Sequence, residues 1–270
     1  MRIRKSLEKV PGFEVANHRI DSWWWLVAAV VAIVALLAGL EPDPYWRIIK
    51  FVSDGLLVSI GVTVVSFILT LLLGLLTALG RLSKNGIIRW ITTIYVEVAR
   101  GIPLLVQLLF WYFAFPSIIQ GFGELIHYEP FEHYHANPFA MAILGLTFCY
   151  SAYMSEIYRA GIQSVPKGQN EAARSLGMTR NQAMRYVILP QAFRTILPPG
   201  GNEFISLLKD SSLVSVVSVA DITRRGREFM ASSFLPVETW LMIALIYLIM
   251  TLISARIVAW IERKTQTEER

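Results

Sequence analysis

Three ionisable residues, Glu203, Lys209 and Asp210, stand in a stretch (200–220) that is otherwise apolar. Charges in such surroundings are costly, so each implies either a partner or a polar passage. Glu203 and Asp210 are seven positions apart, which puts them on one face of a helix, with Lys209 about 100° round from Asp210. Two chemistries fit. Lys209 and Asp210 pair internally and anchor the helix or a seam between two subunits, or the charges line a pathway. A second group, His127, Glu129, Glu132, His133 and His135, gathers in "HYEPFEHYH". Imidazole and carboxylate are metal-ligand types, so metal binding is conceivable, but a solvated outer loop with incidental histidines is the expected reading. Other chemistry is missing from the sequence. No G-x-x-x-x-G-K-[ST] phosphate loop occurs, and no H-E-x-x-H or G-x-S-x-G; "GFGELI" lacks the third glycine of a dinucleotide site. The single cysteine, Cys149, excludes an internal disulfide and a multi-cysteine metal site.

The elements that hold these residues are apolar on a scale that soluble domains do not reach. Of 270 residues, 54% are hydrophobic and 17% charged, against about a quarter charged in a soluble domain; mean hydropathy is +0.50. Crossing a bilayer takes roughly 20 apolar residues. Five stretches free of Asp, Glu, Lys and Arg meet that length: 22–40, 55–80, 101–123, 139–155 and 239–255. The weaker sixth is 200–220. The first could be taken for a signal peptide after its basic start, but it begins only at residue 22 and "EPDP" follows it without a small-x-small cleavage pattern, so an uncleaved helix is expected.

Charge sets the orientation. With the N-terminus inside, the inner segments 1–21, 81–99, 156–199 and 261–270 hold 17 Lys and Arg, and the outer segments 41–54, 124–138 and 221–238 hold 5. That bias places both termini in the cytoplasm and requires the sixth span. Trp23, Trp24, Trp25, Tyr45, Trp46 and Trp260 fall at the ends of apolar runs, as interfacial aromatics do.

The segment 156–199 reads as a helix, a tight turn and a second helix. Pro166 suits a first helical turn. Ala172, Ala173 and Leu176 share one side, and Gly177 suits the left-handed position that ends a helix. Thr179 with Gln182 forms a capping box. Ala183, Tyr186 and Val187 share a face of the second helix, which Pro190 limits. Arg174, Arg180 and Arg185 occupy the polar sides. Such a hairpin can lie on an anionic leaflet, dock a soluble partner, or imitate a DNA-reading helix-turn-helix; the last lacks a third helix and a route to DNA. Glu156 and Arg159 are spaced as a helix-end pair.

"EAARSLG", nine residues, then "VILP" resembles the EAA loop of ATP-binding-cassette (ABC) importer permeases, E-A-A-x3-G-x9-I-x-L-P, with Val187 in place of the usual Ile. Residues 95–113, 151–169, 189–217 and 220–225 resemble the polar-amino-acid subfamily, so the likeness covers most of 55–260. The resemblance implies an all-α integral membrane protein of the type I importer permease fold, with six transmembrane helices. It divides the chain into a basic cytoplasmic tail (1–21), an additional N-terminal helix with an outer loop (22–54), a permease domain (55–260) containing the cytoplasmic loop 156–199, and a cytoplasmic tail (261–270). The implied function is translocation of polar amino acids across a bacterial inner membrane. The implied partners are two ABC ATPase subunits, a second permease subunit (identical or related) and an extracytoplasmic solute-binding protein, with no nucleic acid. The chain itself is then not an enzyme and holds no cofactor or metal, ATP being bound by the partner.

The resemblance also puts Glu171, Ala172, Ala173 and Gly177 at the ATPase contact. Small alanines let a helix enter a groove closely, Glu171 near a helix start pairs with a basic group, and Gly177 sets the angle of the hairpin. In the pathway reading, Glu203, Lys209 and Asp210 meet an amino-acid zwitterion. A different class of function is a membrane-anchored regulator whose basic hairpin binds a protein or nucleic acid.

Overall fold

A computed structural model describes residues 22–266; the basic tail 1–21 and the last four residues of the C-terminal tail lie outside the described residues. The described chain is helical, without strands. Helices α1 (Ser22–Leu40) and α2 (Pro42–Arg81) are followed by α3 (Gly86–Gly101), α4 (Leu104–Leu109) and α5 (Phe115–Ile126). A single turn, α6 (Glu129–Glu132), leads to the long α7 (Pro138–Ser164). Then come α8 (Lys167–Ser175), α9 (Arg180–Ala183), α10 (Leu189–Asp210), α11 (Ile222–Ser233) and α12 (Pro236–Gln266). π-helical turns at Phe110–Ala114 and Met184–Ile188 join α4 to α5 and α9 to α10, and a 3-10 segment, Ser211–Val217, follows α10.

Two segments counted as loops in the sequence are helical. Residues 43–54 extend α2, because Ile48 and Val52, one turn apart, are both buried against α11 and α12. Residues 86–101 form α3, capped by the Asn85 side chain, which accepts from the Ile87 amide at 2.9 Å. Its Val96 and Ala99 are buried beside Ala152 of α7.

Helix α7 is the centre of the molecule, and α2 lies along it. The contact stripe on α2 is small: Ser59, Thr63, Ser66, Thr70, Gly74 and Thr77 are buried at intervals of three and four residues. Small residues let two backbones approach closely where hydrocarbon gives no hydrophobic drive to association. At Gly74 a Cβ would stand 2.9 Å from Cβ of Met154 and 3.2 Å from the Ser151 carbonyl oxygen. One core cluster joins Val62, Leu108, Leu146, Tyr150, Leu207 and Val214. A second joins Ile48, Val52, Leu208, Ile222, Phe229 and Met242. Helix α1 packs through Val27 and Val30 on Leu252 of α12.

Among the described residues, five helices are long and apolar enough to cross a membrane: 23–40, 42–81, 104–126, 138–164 and 236–265. The segment expected as a sixth, 200–220, is not among them: Glu203, Lys209 and Asp210 lower its hydropathy, and its α-helix ends at Asp210. It nevertheless runs the length of the bundle. Ile196 lies beside Gly161, Gly200 beside Met154, and Asp210 beside Tyr150. Beyond the 3-10 segment, the Ile222 amide donates to Ser59 Oγ at 3.3 Å and Arg225 pairs with Asp54. The chain thus passes from the α8–α9 end to the Asp54 end between residues 189 and 222. At the Asp54 end, hydrogen bonds from Arg225 and Arg224 hold the Glu228 carboxyl below its usual range. Trp23 lies under Arg256, whose guanidinium carbon is 4.9 Å from the ring centroid. Val258 of the same α12 abuts Gly201, so the start of α1 and the end of α12 share the α8–α9 end.

The α2–α7 contact can be tested by stability. Gly74→Leu forces the two backbones apart and is expected to cost about 1–3 kcal/mol as overpacking. Gly61→Ala adds a Cβ with nothing within 4 Å and is expected to be neutral or stabilising by up to about 1 kcal/mol. Melting temperature in detergent, followed by size-exclusion fluorescence, reads both; an unchanged Gly74→Leu melting temperature would refute the close approach.

Candidate functional site

The α8–α9 hairpin is built from local capping chemistry. Pro166 stands in extended conformation and α8 begins after it. At the far end Gly177 has φ +84°, the left-handed conformation that glycine adopts without strain. The Met178 amide donates to the Ala173 carbonyl at 3.1 Å and the Gly177 amide to the Arg174 carbonyl at 3.0 Å, the paired bonds of a Schellman ending. The next helix starts at once. The Thr179 amide donates to Gln182 Oε1 at 2.8 Å and the Gln182 amide to Thr179 Oγ1 at 3.3 Å, which completes the capping box. Of the four residues singled out by the EAA pattern, Ala173 is buried, at 4% exposure, and Glu171, Ala172 and Gly177 are exposed. Leu176 shares a side with the alanines as expected from spacing, yet is 81% exposed, a bare apolar tip.

Pro190 does not end the second helix. The π turn Met184–Ile188 carries the backbone into α10, where the Leu189 amide reaches five residues back to Met184. The wider turn changes the hydrogen-bond ladder just where Pro190, which has no N–H, enters the helix. Of the face assigned to this helix, Ala183 is buried, Val187 half-buried and Tyr186 exposed.

Helix α10 carries Glu203 and Asp210 into a cavity of about 410 Å³, lined also by Arg100, Tyr150, Tyr153 and residues 101–104. The Tyr150 hydroxyl donates to Asp210 Oδ2 at 2.7 Å. Lys209 does not line the cavity: it is exposed and forms no ion pair with Asp210 among the described residues. The internal Lys209–Asp210 pair expected from their adjacency is therefore replaced by a tyrosine partner, because 100° of helix rotation sends neighbours to different surroundings.

The cavity wall opposite α10 depends on a break in the backbone. Helix α3 ends at Gly101, Ile102 and Pro103 are extended, and α4 restarts the helix. Gln107 fixes this break: its Nε2 donates to the carbonyls of Ala99 at 2.7 Å and Ile102 at 2.8 Å. Arg100 stacks over Tyr153 at 5.3 Å and reaches Glu156 at 3.4 Å. Glu156 also binds Arg81, and Arg159 at 2.7 Å. The spacing-based Glu156–Arg159 pair is present, as one spoke of a hub. Sequence reasoning missed Arg81, Arg100, Gln107 and Tyr150. Arg100 carried a usable signal, a lone charge at the edge of an apolar run before Gly-x-Pro. In the 127–135 loop, and elsewhere among the described residues, no three His, Cys, Asp or Glu side chains come together to hold a metal ion.

Comparison with known proteins agrees with this geometry. Residues 70–267 match the family described as binding-protein-dependent transport system inner membrane component. The chain is 36% identical over 219 residues to the glutamine transport system permease protein GlnP of Escherichia coli K12, covering 81% of this chain and 94% of that protein. It is 41% identical over 189 residues to the L-cystine transport system permease protein TcyB of Bacillus subtilis, covering 70% of this chain and 74% of that protein. Among solved structures, an amino acid ABC transporter crystallised with histidines superposes with a TM-score of 0.71 at 39% identity, over 85% of this chain and 98% of that one. The MetNI methionine ABC transporter, at 20% identity and a TM-score of 0.61, shares the fold. A hairpin with two capped helices, a charged cavity along the helix that continues from it and a bundle of apolar helices are thus features of a chain that belongs to the binding-protein-dependent transport system inner membrane component family.

Proposed function

We propose that this chain is the translocation subunit of an ATP-driven importer for polar amino acids. Its partners are two ATPase subunits at the hairpin, a second permease subunit, and a solute-binding protein on the opposite face. ATP is hydrolysed by the partner; this chain carries no phosphate-binding loop. Both termini and the hairpin lie in the cytoplasm, and α10 with its 3-10 extension makes the sixth crossing. The crossing of 189–222 from one end of the bundle to the other supports that count, as does the shared end of α1 and α12. The regulator reading finds no support among the relatives.

The observation that carries the proposal is the cavity, where one guanidinium and two carboxyl groups surround a volume suited to a small zwitterion. Arg100 takes the substrate carboxylate, giving up its 3.4 Å contact to Glu156, and Glu203 and Asp210 take the ammonium group. Tyr150 holds Asp210 in place. The hairpin reaches this site mechanically. Helix α9, the π turn and α10 form one continuous rod from Thr179 to Asp210. A force applied by the ATPase at Glu171, Ala172 and Leu176 on α8 passes through the capped Gly177–Thr179 turn to this rod and moves the helix that bears both carboxyl groups.

Three experiments test these assignments. In a Cys149→Ser background, Tyr128→Cys is expected to react with an impermeant thiol reagent in intact spheroplasts, and Ser175→Cys only after the membrane is opened; the reverse pattern would overturn the topology. Gly177→Val, in a left-handed backbone site costing on the order of 1 kcal/mol or more for a side chain, is expected to insert normally and lose uptake. Wild-type uptake at normal expression would show that the hairpin is not a coupling element. Third, Asp210→Asn is expected to abolish amino-acid uptake at near-native yield, because Tyr150 still finds an oxygen acceptor. Lys209→Met should leave both yield and uptake within about twofold, as exposed substitutions usually do. Equal loss in the two variants would restore the paired-charge reading.

A further inference from the structure

A second cleft lies beside the hairpin, separate from the translocation cavity. The last turn of α7, the start of α8 and the α9–π turn enclose about 430 Å³. Its apolar surface is Ile162, Val165, Met184 and Ile188, and its cations are Lys167 and Arg180. Both cations are exposed, neither makes an ion pair among the described residues, and no acidic side chain lines the cleft. Two uncompensated positive charges beside an apolar floor suit an amphiphile with an anionic head. Depth narrows the choice: α7, Pro138–Ser164, is a 27-residue helix long and apolar enough to cross a membrane, about 40 Å at 1.5 Å per residue, the thickness of a bilayer with its headgroup regions, so the cleft at its end opens at the level of phospholipid headgroups, where each Lys or Arg adds to the attraction of anionic lipid.

We propose that this cleft is a site for an anionic phospholipid, its phosphate held between Lys167 and Arg180 and its first acyl carbons on Ile162, Val165, Met184 and Ile188. The lipid then ties α8 and α9 to the end of α7, setting the stance of the hairpin. Binding is independent of the transport assignment. Its consequence, that coupling depends on anionic lipid in the leaflet facing the hairpin, rests on the coupling role proposed above.

The full chain in neutral detergent is titrated with soluble dihexanoyl phosphatidylglycerol, dihexanoyl phosphatidylcholine and glycerol phosphate, with occupancy read by native mass spectrometry. Phosphatidylglycerol is expected to bind, with the other two at least tenfold weaker. The double variant Lys167→Gln/Arg180→Gln should weaken phosphatidylglycerol by roughly thirtyfold, two cations' worth of surface attraction. Lys167→Arg/Arg180→Lys, which keeps both charges, should bind normally, as should Arg174→Gln elsewhere on the hairpin. Met184→Trp, which fills the floor and keeps the cations, should also weaken binding, and it serves if the double variant fails to fold. Equal binding of phosphatidylcholine, or undiminished binding by the double variant, overturns the site. Glycerol phosphate binding as tightly as the lipid makes it a free-anion site and overturns the lipid assignment. Loss of ATPase association in the double variant at unchanged lipid occupancy assigns the cations to the protein partner and overturns it too. In liposomes, uptake by the assembled transporter should gain from phosphatidylglycerol with the native chain and not with the double variant.

Discussion

In hydrocarbon no water is available to a backbone N–H or C=O, so every peptide group must find its partner within the protein. That constraint governs where this chain departs from the α-helix. Two irregularities lie against the cavity, and side chains take up backbone carbonyls at both. The Gly101–Pro103 break has two nearby carbonyls taken by Gln107 Nε2. The 3-10 segment after α10 has Ser211, Val214, Ser215 and Val217 buried, and the Ser215 carbonyl accepts from Arg227 at 2.8 Å. The break and the end of α10 flank the same cavity. Departures from the helix are affordable where side chains take up the freed backbone groups or where they line a cavity, and here they expose side chains that a straight helix would turn elsewhere.

Charge follows the same rule. An ionised group that loses its partner in a poorly hydrated interior costs several kcal/mol, so the carboxyl groups here are held by geometry that spans the fold. Glu156 draws together Arg81 of α2, Arg100 at the end of α3 and Arg159 on its own helix. Arg100 belongs both to this hub and to the cavity. The guanidinium that a substrate carboxylate would engage is thus also a strut between α3 and α7. One side chain thus belongs to both the cavity lining and the α3–α7 contact.

The continuity of the second hairpin helix with α10 extends this logic to the ATPase side. A loop ended by Pro190 would absorb motion. The π turn keeps the rod intact, so the capped turn at Gly177 and Thr179 becomes its rigid handle. In the proposed function α10 then has two tasks, bearing the cavity carboxyl groups at one end and force at the other. That division explains why a segment so poor in hydropathy crosses the bundle at all.

Features set by neighbours along the chain were legible in the sequence. The long apolar runs, the Schellman ending at Gly177 and the Thr179–Gln182 box depend on contacts within a few residues, and the structure contains each of them. The common face of Glu203 and Asp210 was legible for the same reason. Features that depend on what a side chain meets across the fold were not. Helices over 43–54 and 86–101 were masked by their charges, because burial of Ile48, Val52, Val96 and Ala99 is decided by packing on distant helices. Proline at 190 reads locally as a stop, and only the π turn before it shows otherwise. The partner of Asp210 is Tyr150, 60 positions away, rather than adjacent Lys209. Arg81 is 75 positions from Glu156. Periodicity and capping are short-range and written into spacing, whereas the environment of a buried charge is a property of the assembled bundle and is decided only there.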